Sequence, residues 1–241
     1  MNKTIKLVFL FSVLLFTLGA QSQKVTTEAI FKQYLNDDNE EMAKTIAKSK
    51  DGLYSLYCQG VLSENNDEQL QLFTQFIALK PKYGLAEAYL NRGIVYALME
   101  KHDLALIDFD QAIALNPKES ITYYFKGTSF ASLEQLDSAI ENYTKSLSID
   151  PDFEMTYYMR GISYYDQKKY KEALDDFNVV LKNEPTNDGA HLLRGIIYNE
   201  MGEYKKAIED LEEGKRLNKD NAKDADIIIA DAKEKLKATT K

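Results

Sequence analysis

Two histidines, one cysteine and a row of charged side chains are the residues of this chain that could take part in a reaction or bind a metal. His102 and His191 are the only imidazoles, and neither has cysteine partners at the spacing of a zinc site. Each stands where equivalent segments of the chain carry tyrosine, so we expect both to fill packing positions. Cys58 is the only cysteine, so an internal disulfide is excluded; it follows Leu56 and Tyr57 in an expected helix interior, which predicts a buried small hydrophobe rather than a free thiol.

A basic residue precedes a glycine at four places in the sequence, at steps of 34 residues. Such a row could bind anions, but it could also pair with acids inside the protein. An aspartate follows each arginine by 16 residues, whereas an asparagine follows the one lysine at that distance. Because the acid is absent only where lysine replaces arginine, the pattern favours bidentate salt bridges over an anion-binding row. The four pairs of positions are Arg92 and Asp108, Lys126 and Asn142, Arg160 and Asp176, and Arg194 and Asp210.

The sequence lacks the signatures of the common catalytic sites. Its glycines are dispersed and form no phosphate-binding loop, and no serine is framed by glycines as in a nucleophile elbow. Adjacent carboxylates such as Asp175 and Asp176 lie on amphipathic segments, where a solvated helix face explains them. We therefore predict no catalytic residue, no metal ligand and no cofactor; an enzyme with a site of unfamiliar type is the alternative.

The charged row belongs to a 34-residue unit that occurs four times. In the first copy, Tyr89, Gly93 and Tyr96 are spaced i, i+4, i+7 and so share one face of a helix. Gly93 and Ala105 are small enough for this helix to cross a second one closely, and Pro117 requires the second helix to stop before it. Repetition at this period predicts an all-α array of stacked helix pairs with a continuous core.

The recurring order of aromatic, Gly, aromatic, Ala, aromatic, Ala and Pro residues resembles the tetratricopeptide repeat. Four consecutive copies match it, at residues 86–119, 120–153, 154–187 and 188–221. The resemblance implies a right-handed superhelix of helix pairs, with a concave face that is lined by the first helix of each pair and holds a peptide or a partner helix. Some relatives bind a C-terminal carboxylate through Lys and Asn on these helices, and this chain lacks those residues at the equivalent positions.

A second stripe, here called the inner stripe, lies one residue further along each first helix, about 100° round from the packing face. The resemblance implies that it lies on the concave face, where a contiguous apolar surface usually marks an interaction site. Two of its twelve members are clearly polar. The inner stripe consists of Leu90, Ile94, Ala97, Tyr124, Thr128, Ala131, Tyr158, Ile162, Tyr165, Leu192, Ile196 and Asn199.

We predict that most of the inner stripe binds the partner. Tyrosine combines a rigid aromatic body with a hydroxyl group, so Tyr124, Tyr158 and Tyr165 are expected to lie under an extended or helical peptide. Packing between neighbouring repeats is the alternative, and it is the preferred interpretation for Ala97 and Ala131. The predicted partner-binding residues are Leu90, Ile94, Tyr124, Thr128, Tyr158, Ile162, Tyr165, Leu192 and Ile196.

The segments on either side of the four copies are also expected to be helical. In the lead-in at residues 23–52, Asp38 and Glu41 form a capping-box pattern that opens a second helix, and Gly52 is expected to end it. An irregular repeat is predicted at residues 53–85. It is three residues short, and we expect the deletion in the turn at Glu64–Asp67. Residues 222–241 are predicted to form a capping helix with a polar outer face, followed by a short tail.

Residues 1–22 have a different composition from the rest of the chain. Two lysines precede an apolar run from Leu7 to Leu18, and small residues follow it, which is the pattern of a secretory signal peptide. An uncleaved anchor helix is the alternative, but the run is shorter than the roughly 20 residues that a bilayer span needs. The pattern predicts export to the periplasm or envelope of a bacterial-type cell, with a mature chain that starts at Gln21 or Gln23.

The charge of the predicted mature chain bears on its partners. Without the two lysines of residues 1–22 it has 28 basic and 38 acidic residues, a net charge of −10. This balance argues against nucleic acid or an anionic membrane surface as the main partner. We predict a non-enzymatic module that binds a protein or peptide and is not inserted in a membrane after signal cleavage. The alternative is a structural subunit, or a self-stacking protomer, of a cell-envelope complex.

Overall fold

The architecture is all α-helical, as the repeat pattern predicts. The structure is a computed structural model that describes residues 27–37, 39–49, 52–219 and 222–239. Within those ranges the chain forms 13 helices and no strand. The described residues divide into two compact units, one that ends at Gly84 and one that begins at Leu85. The predicted signal peptide at residues 1–22 lies outside the described residues.

The first unit consists of four helices around an aromatic core. They are α1 (Thr27–Asp37), α2 (Glu40–Ala47), α3 (Gly52–Leu62) and α4 (Asn66–Ala78). Phe31 lies against Tyr54 with ring centroids 4.5 Å apart, and both Phe31 and Phe76 are fully buried. Removing one such ring from water stabilises the fold by about 1.5–3 kcal/mol, so these rings are the main cohesive groups of the unit.

Two details of the lead-in differ from the sequence-based expectation. Asn39, rather than Asp38, caps α2: its side-chain oxygen accepts a hydrogen bond from the N–H of Met42 at 3.1 Å. Asparagine caps as well as aspartate because its amide oxygen reaches the same free N–H groups. Gly52 does not end α2, which stops at Ala47, but is the first residue of α3. A capping glycine directly follows the helix that it ends, whereas Gly52 begins the next helix.

The second unit contains four helix pairs and a final helix. The pairs are α5 (Leu85–Leu98) with α6 (His102–Leu115), α7 (Ser120–Ser132) with α8 (Leu136–Ile149), α9 (Glu154–Asp166) with α10 (Tyr170–Asn183), and α11 (Asp188–Glu200) with α12 (Tyr204–Leu217). The final helix is α13 (Ala222–Thr239). A residue with positive φ follows each first helix and lets the chain reverse within three residues. These residues are Glu100, Glu134, Lys168 and Gly202.

The shortened repeat of the first unit loses its residues from a helix and not from the turn. The links between α3 and α4 and between α5 and α6 both contain three residues. However, α3 ends two residues after Gly60, whereas α5 ends five residues after Gly93. The expected deletion at Glu64–Asp67 is therefore wrong, because the turn keeps its length while the first helix loses almost one turn.

Prolines and glycines act as the sequence predicts. The residue before Pro117, Asn116, has the non-helical angles φ −137° and ψ 84°, and α6 ends one residue earlier. Asn218 has a similar φ of −134° although Lys219 replaces the proline, so packing also directs this path. A Cβ at Gly195 would lie 2.8 Å from Leu211 Cγ, so α11 and α12 can cross this closely only with glycine.

The helix pairs of the second unit stack with their first helices together. Each first helix contacts the next one, from α5 through α7 and α9 to α11, and α11 contacts α13. Consecutive second helices of the described chain do not contact one another to the same extent. A stack with one layer held closer together than the other must curve, with the closer layer inside. The first helices therefore form the inner layer, and they carry the inner stripe.

Helix α13 closes the end of this stack. Its residues Ala225, Ile229 and Ala232 are buried, whereas Ile227 is 63% exposed on the other side. Ile229 and Ala225 form one apolar cluster with Leu211 of α12, which would otherwise face water. The helix thus has one packed face, as a cap requires. Among the described helices, none is both long and apolar enough to cross a lipid bilayer.

Candidate functional site

The basic row is built into the fold as salt bridges, which confirms the pairing interpretation. Arg160 Nε and Nη2 donate to the two carboxylate oxygens of Asp176 at 2.8 and 2.7 Å. The same bidentate geometry joins Arg92 to Asp108 and Arg194 to Asp210. Each arginine lies on a first helix and each aspartate on the second helix of the same pair, where the side chain of the acid is almost completely buried.

The same basic residues also link neighbouring repeats, which the sequence did not predict. The third nitrogen of Arg160 donates to the Thr144 hydroxyl at 3.0 Å, and that of Arg194 donates to Asn178 Oδ1 at 2.8 Å. Lys126 has Asn142 instead of an aspartate at the equivalent position of its own pair, and it binds Asp110 of the preceding pair, with Nζ 2.6 Å from Oδ1. The four cations are therefore already occupied by protein oxygens, which leaves no free row for anions.

His191 takes over the structural role of a tyrosine. The hydroxyl of Tyr123, one of the equivalent residues, donates to the carbonyl oxygen of Pro117 at 3.4 Å. His191 Nε2 lies 3.1 Å from the carbonyl oxygen of Pro185, and Nδ1 lies 3.0 Å from Asp210 Oδ1. The ring thus ties the end of α10 to α11 and α12, in keeping with a packing role.

Cys58 and His102 both place a titratable atom in the protein interior. Cys58 is completely buried in the first unit, and burial raises the pKa of its thiol to about 12, so it is not a nucleophile at neutral pH. His102 Nδ1 is buried without a hydrogen-bond partner among the described residues. The described part of the chain contains no group of three His, Cys, Asp or Glu side chains that could hold a metal ion.

The upstream part of the inner stripe is packed as well as exposed. The ring of Tyr124 lies 5.1 Å from that of Phe153 and 5.2 Å from that of Phe125. This partial burial raises the pKa of Tyr124. The Thr128 hydroxyl donates to the Tyr124 carbonyl oxygen at 3.1 Å, which satisfies the polar member of the stripe within its own helix. Leu90 and Ile94 of α5 are half-buried in the same way.

The downstream part of the stripe lies over two apolar clusters. Tyr158, Ile162 and Tyr165 pack against the cluster that includes Phe177. Leu192 and Ile196 pack against the cluster beneath α13. All nine predicted partner-binding residues are half-buried. Each is therefore partly covered by its neighbours and partly accessible, so packing and exposure coexist at the same positions.

A cavity of about 760 Å³ opens at the downstream end of the stripe, between α9, α11 and α13. Tyr158, Leu192 and Ile196 line it, so three of the nine predicted residues come together there. The other six do not line it. Met155, which is 53% exposed, and Ile228 of α13 also line the cavity, and neither was among the predicted residues. Met155 could have been found from its i, i+3 spacing to Tyr158, whereas Ile228 reaches the cavity only through tertiary packing.

Carboxylates dominate the polar part of the cavity wall. Glu154, Glu184, Asp188 and Asp224 line it, and no lysine or arginine does. Glu154 Oε1 is buried and has no hydrogen-bond partner among the described residues. Burial and then the charge of Asp188 raise the pKa of the Tyr158 hydroxyl, as expected in a negative environment. The cavity therefore combines an apolar floor with an acidic rim.

Stacked helix pairs with an open, half-apolar inner layer define a helical-repeat scaffold of the kind that presents a surface to another molecule. Residues 86–119, 155–187 and 189–221 match the profile of the tetratricopeptide repeat, and residues 127–168 match that of the TPR repeat. These segments cover more than half of the sequence. The chain belongs to the tetratricopeptide repeat family. No curated protein matches it significantly over its sequence.

Solved structures of other repeat proteins share the superhelical fold. The crystal structure of MamA superposes with a TM-score of 0.63 at 15% identity and covers 73% of this chain and 98% of its own. MamA from Desulfovibrio magneticus RS-1 superposes with a TM-score of 0.62 at 16% identity, over 75% of this chain and 96% of its own. YrrB, described as a TPR protein with an unusual peptide-binding site, has a TM-score of 0.59 at 20% identity, over 87% and 100%.

Proposed function

We propose that this protein is a non-enzymatic interaction module that holds a peptide or a partner helix on the inner layer of its first helices. The observation that carries the proposal is the half-buried inner stripe, which leads into the cavity lined by Tyr158, Leu192 and Ile196. A ligand on this surface would cover its exposed apolar area. The side chains of the surface are already held in place by the core, so binding costs little side-chain conformational entropy. Membership of the family and the peptide-binding site named for YrrB support this proposal.

Photo-crosslinking tests the location of the partner. A photoreactive phenylalanine analogue at Met155 should form a discrete adduct in cells, because this side chain lines the cavity and is 53% exposed. The matched control is the same analogue at Ile107, an apolar residue of the second helix α6 that is 58% exposed. We expect no discrete adduct there. Equal adducts at both positions, or none at Met155, would contradict the proposal.

The second candidate function is a structural subunit or a self-stacking protomer. Exposed apolar residues such as Leu104 and Ile107 on α6 favour it, since they could be covered by another chain. The two candidates differ in the mass of the crosslinked species and in the size of the free protein. An adduct with the mass of two copies, together with concentration-dependent light scattering, would support self-assembly instead of binding to a different partner.

We also propose that the protein is exported and works in the periplasm or envelope. The lysines and the apolar run of residues 1–22 support this location. N-terminal sequencing of the protein from its native cell should begin at Gln21 or Gln23. An intact Met1 on the mature species would show that the segment is not a cleaved signal.

A further inference from the structure

We propose that the cavity between α9, α11 and α13 binds a lysine or arginine side chain of a peptide, together with the apolar residues that flank it. This inference rests on the proposed peptide-binding function and specifies the chemistry of the partner. It depends on the charge of the cavity wall, which the repeat pattern does not determine.

The charges of the cavity wall select a cation. Glu154 and Asp224 stand on different helices, α9 and α13, and both face the same space. Glu154, Glu184 and Asp224 form no salt bridge with any basic residue that the structure describes. Glu154 Oε1 is buried without a hydrogen-bond donor among the described residues, so a basic group that reaches it would pair an acceptor that the fold leaves unpaired.

The apolar floor indicates that the cationic group belongs to a ligand with apolar parts and is not a small free amine. Leu192, Ile196 and Ile228 provide surface that a lone ammonium group would not cover. The volume of about 760 Å³ falls within the roughly 300–1,000 Å³ of ligand pockets, so it can hold several side chains of an extended segment. Lysine and arginine also suit this wall because their aliphatic stems pack on apolar residues while the head reaches the rim.

Three labelled synthetic peptides test the proposal. They share the same leucine and alanine positions, and their remaining positions carry lysine in the first peptide, glutamine in the second and glutamate in the third. Fluorescence anisotropy with the purified protein should give the tightest binding for the lysine peptide and the weakest for the glutamate peptide. Added salt should weaken binding of the lysine peptide, because the interaction is partly between exposed charges.

The site itself is tested by a pair of double variants with equal net charge. Glu154→Gln/Asp224→Asn should weaken binding of the lysine peptide by about tenfold, the loss expected when charge-assisted hydrogen bonds become neutral. Glu141→Gln/Glu209→Gln, which alters two exposed carboxylates outside the cavity, should leave that affinity unchanged. Circular dichroism melting of both variants checks that the fold is retained.

Several outcomes would overturn the assignment: no measurable binding of the lysine peptide, equal weakening in the two double variants, or a glutamine or glutamate peptide that binds as tightly as the lysine one. The last result would leave the peptide-binding function in place and remove only its preference for cations. Absence of an adduct at Met155 would instead remove the function on which the preference rests.

Discussion

Replacing Arg160 with alanine is expected to lower the free energy of unfolding by about 3–5 kcal/mol. The variant would keep the carboxylate of Asp176, whose side chain is only 6% exposed, without its cation. Lys126→Ala is the matched control, because the partner of Lys126, Asp110, is 59% exposed and would remain solvated. That change should cost at most about 1 kcal/mol. Urea denaturation of the parent and both variants measures the two costs.

The loss caused by Arg160→Ala should also depend on pH. Burial raises the pKa of Asp176 above its usual value of 3.8, and the hydrogen bonds from Arg160 oppose that rise. Without Arg160, the protonated carboxyl is favoured in the fold. Stability is then retained below about pH 4 and lost as the pH rises through the raised pKa. The gap between parent and variant should therefore be smaller at about pH 4 than at about pH 7.

A further substitution checks the origin of this gap. Asp176→Asn in the Arg160→Ala background removes the buried charge, so part of the lost stability should return at neutral pH. The pH dependence of the gap should fall at the same time. Equal costs for Arg160→Ala and Lys126→Ala, or a gap that widens in acid, would show that the salt bridge is not what the fold depends on.

Ile229→Ala in α13 is the second substitution with a large expected effect, a loss of about 2–4 kcal/mol. Ile229 is 6% exposed and belongs to the cluster with Leu211 that α13 covers, so the change leaves a cavity at the end of the stack. Ile227→Ala is the control, since Ile227 lies on the same helix but is 63% exposed. It should change stability by no more than about 0.5 kcal/mol.

Thermal melting and binding of a hydrophobic dye measure these two variants. Ile229→Ala should melt earlier and bind more dye, because a loosened α13 exposes the apolar end of the last repeat. If the two variants melt together, α13 is not a cap that the neighbouring repeat requires. The cavity also depends on α13, so Ile229→Ala should weaken peptide binding more than Ile227→Ala does.

Much of the fold could be predicted because the same pattern of residues occurs in four copies. Gly195 and its equivalents mark helix crossings, and Pro117 and its equivalents mark helix ends, so errors at one copy are corrected by the others. The irregular segments had no such redundancy. There the pattern favours Asp38 as the cap of α2, whereas the structure has Asn39. The shortened repeat is misassigned because a single copy does not show which element absorbs a change in length.

The salt bridges show the same division at the level of side chains. Arg160 and Asp176 could be paired from sequence because their separation recurs with Arg92 and Arg194. The bonds back to Thr144 and Asn178 could not, although they also span 16 residues, because three different residue types share the position. Sequence spacing identifies hydrogen-bond or salt-bridge partners only when each of the two positions keeps the same type of side chain from copy to copy.

The sequence by itself determined the helix pairs, their stacking period, the buried pairing of Arg160 with Asp176 and the absence of familiar catalytic motifs, because each depends on spacing along the chain. Only the tertiary structure decided which part of the inner stripe surrounds a cavity. A cavity forms at Tyr158, Leu192 and Ile196 because α13 packs against α11 and brings Asp224 and Ile228 to them. Residues that distant in sequence become neighbours through packing alone, and no local pattern records it.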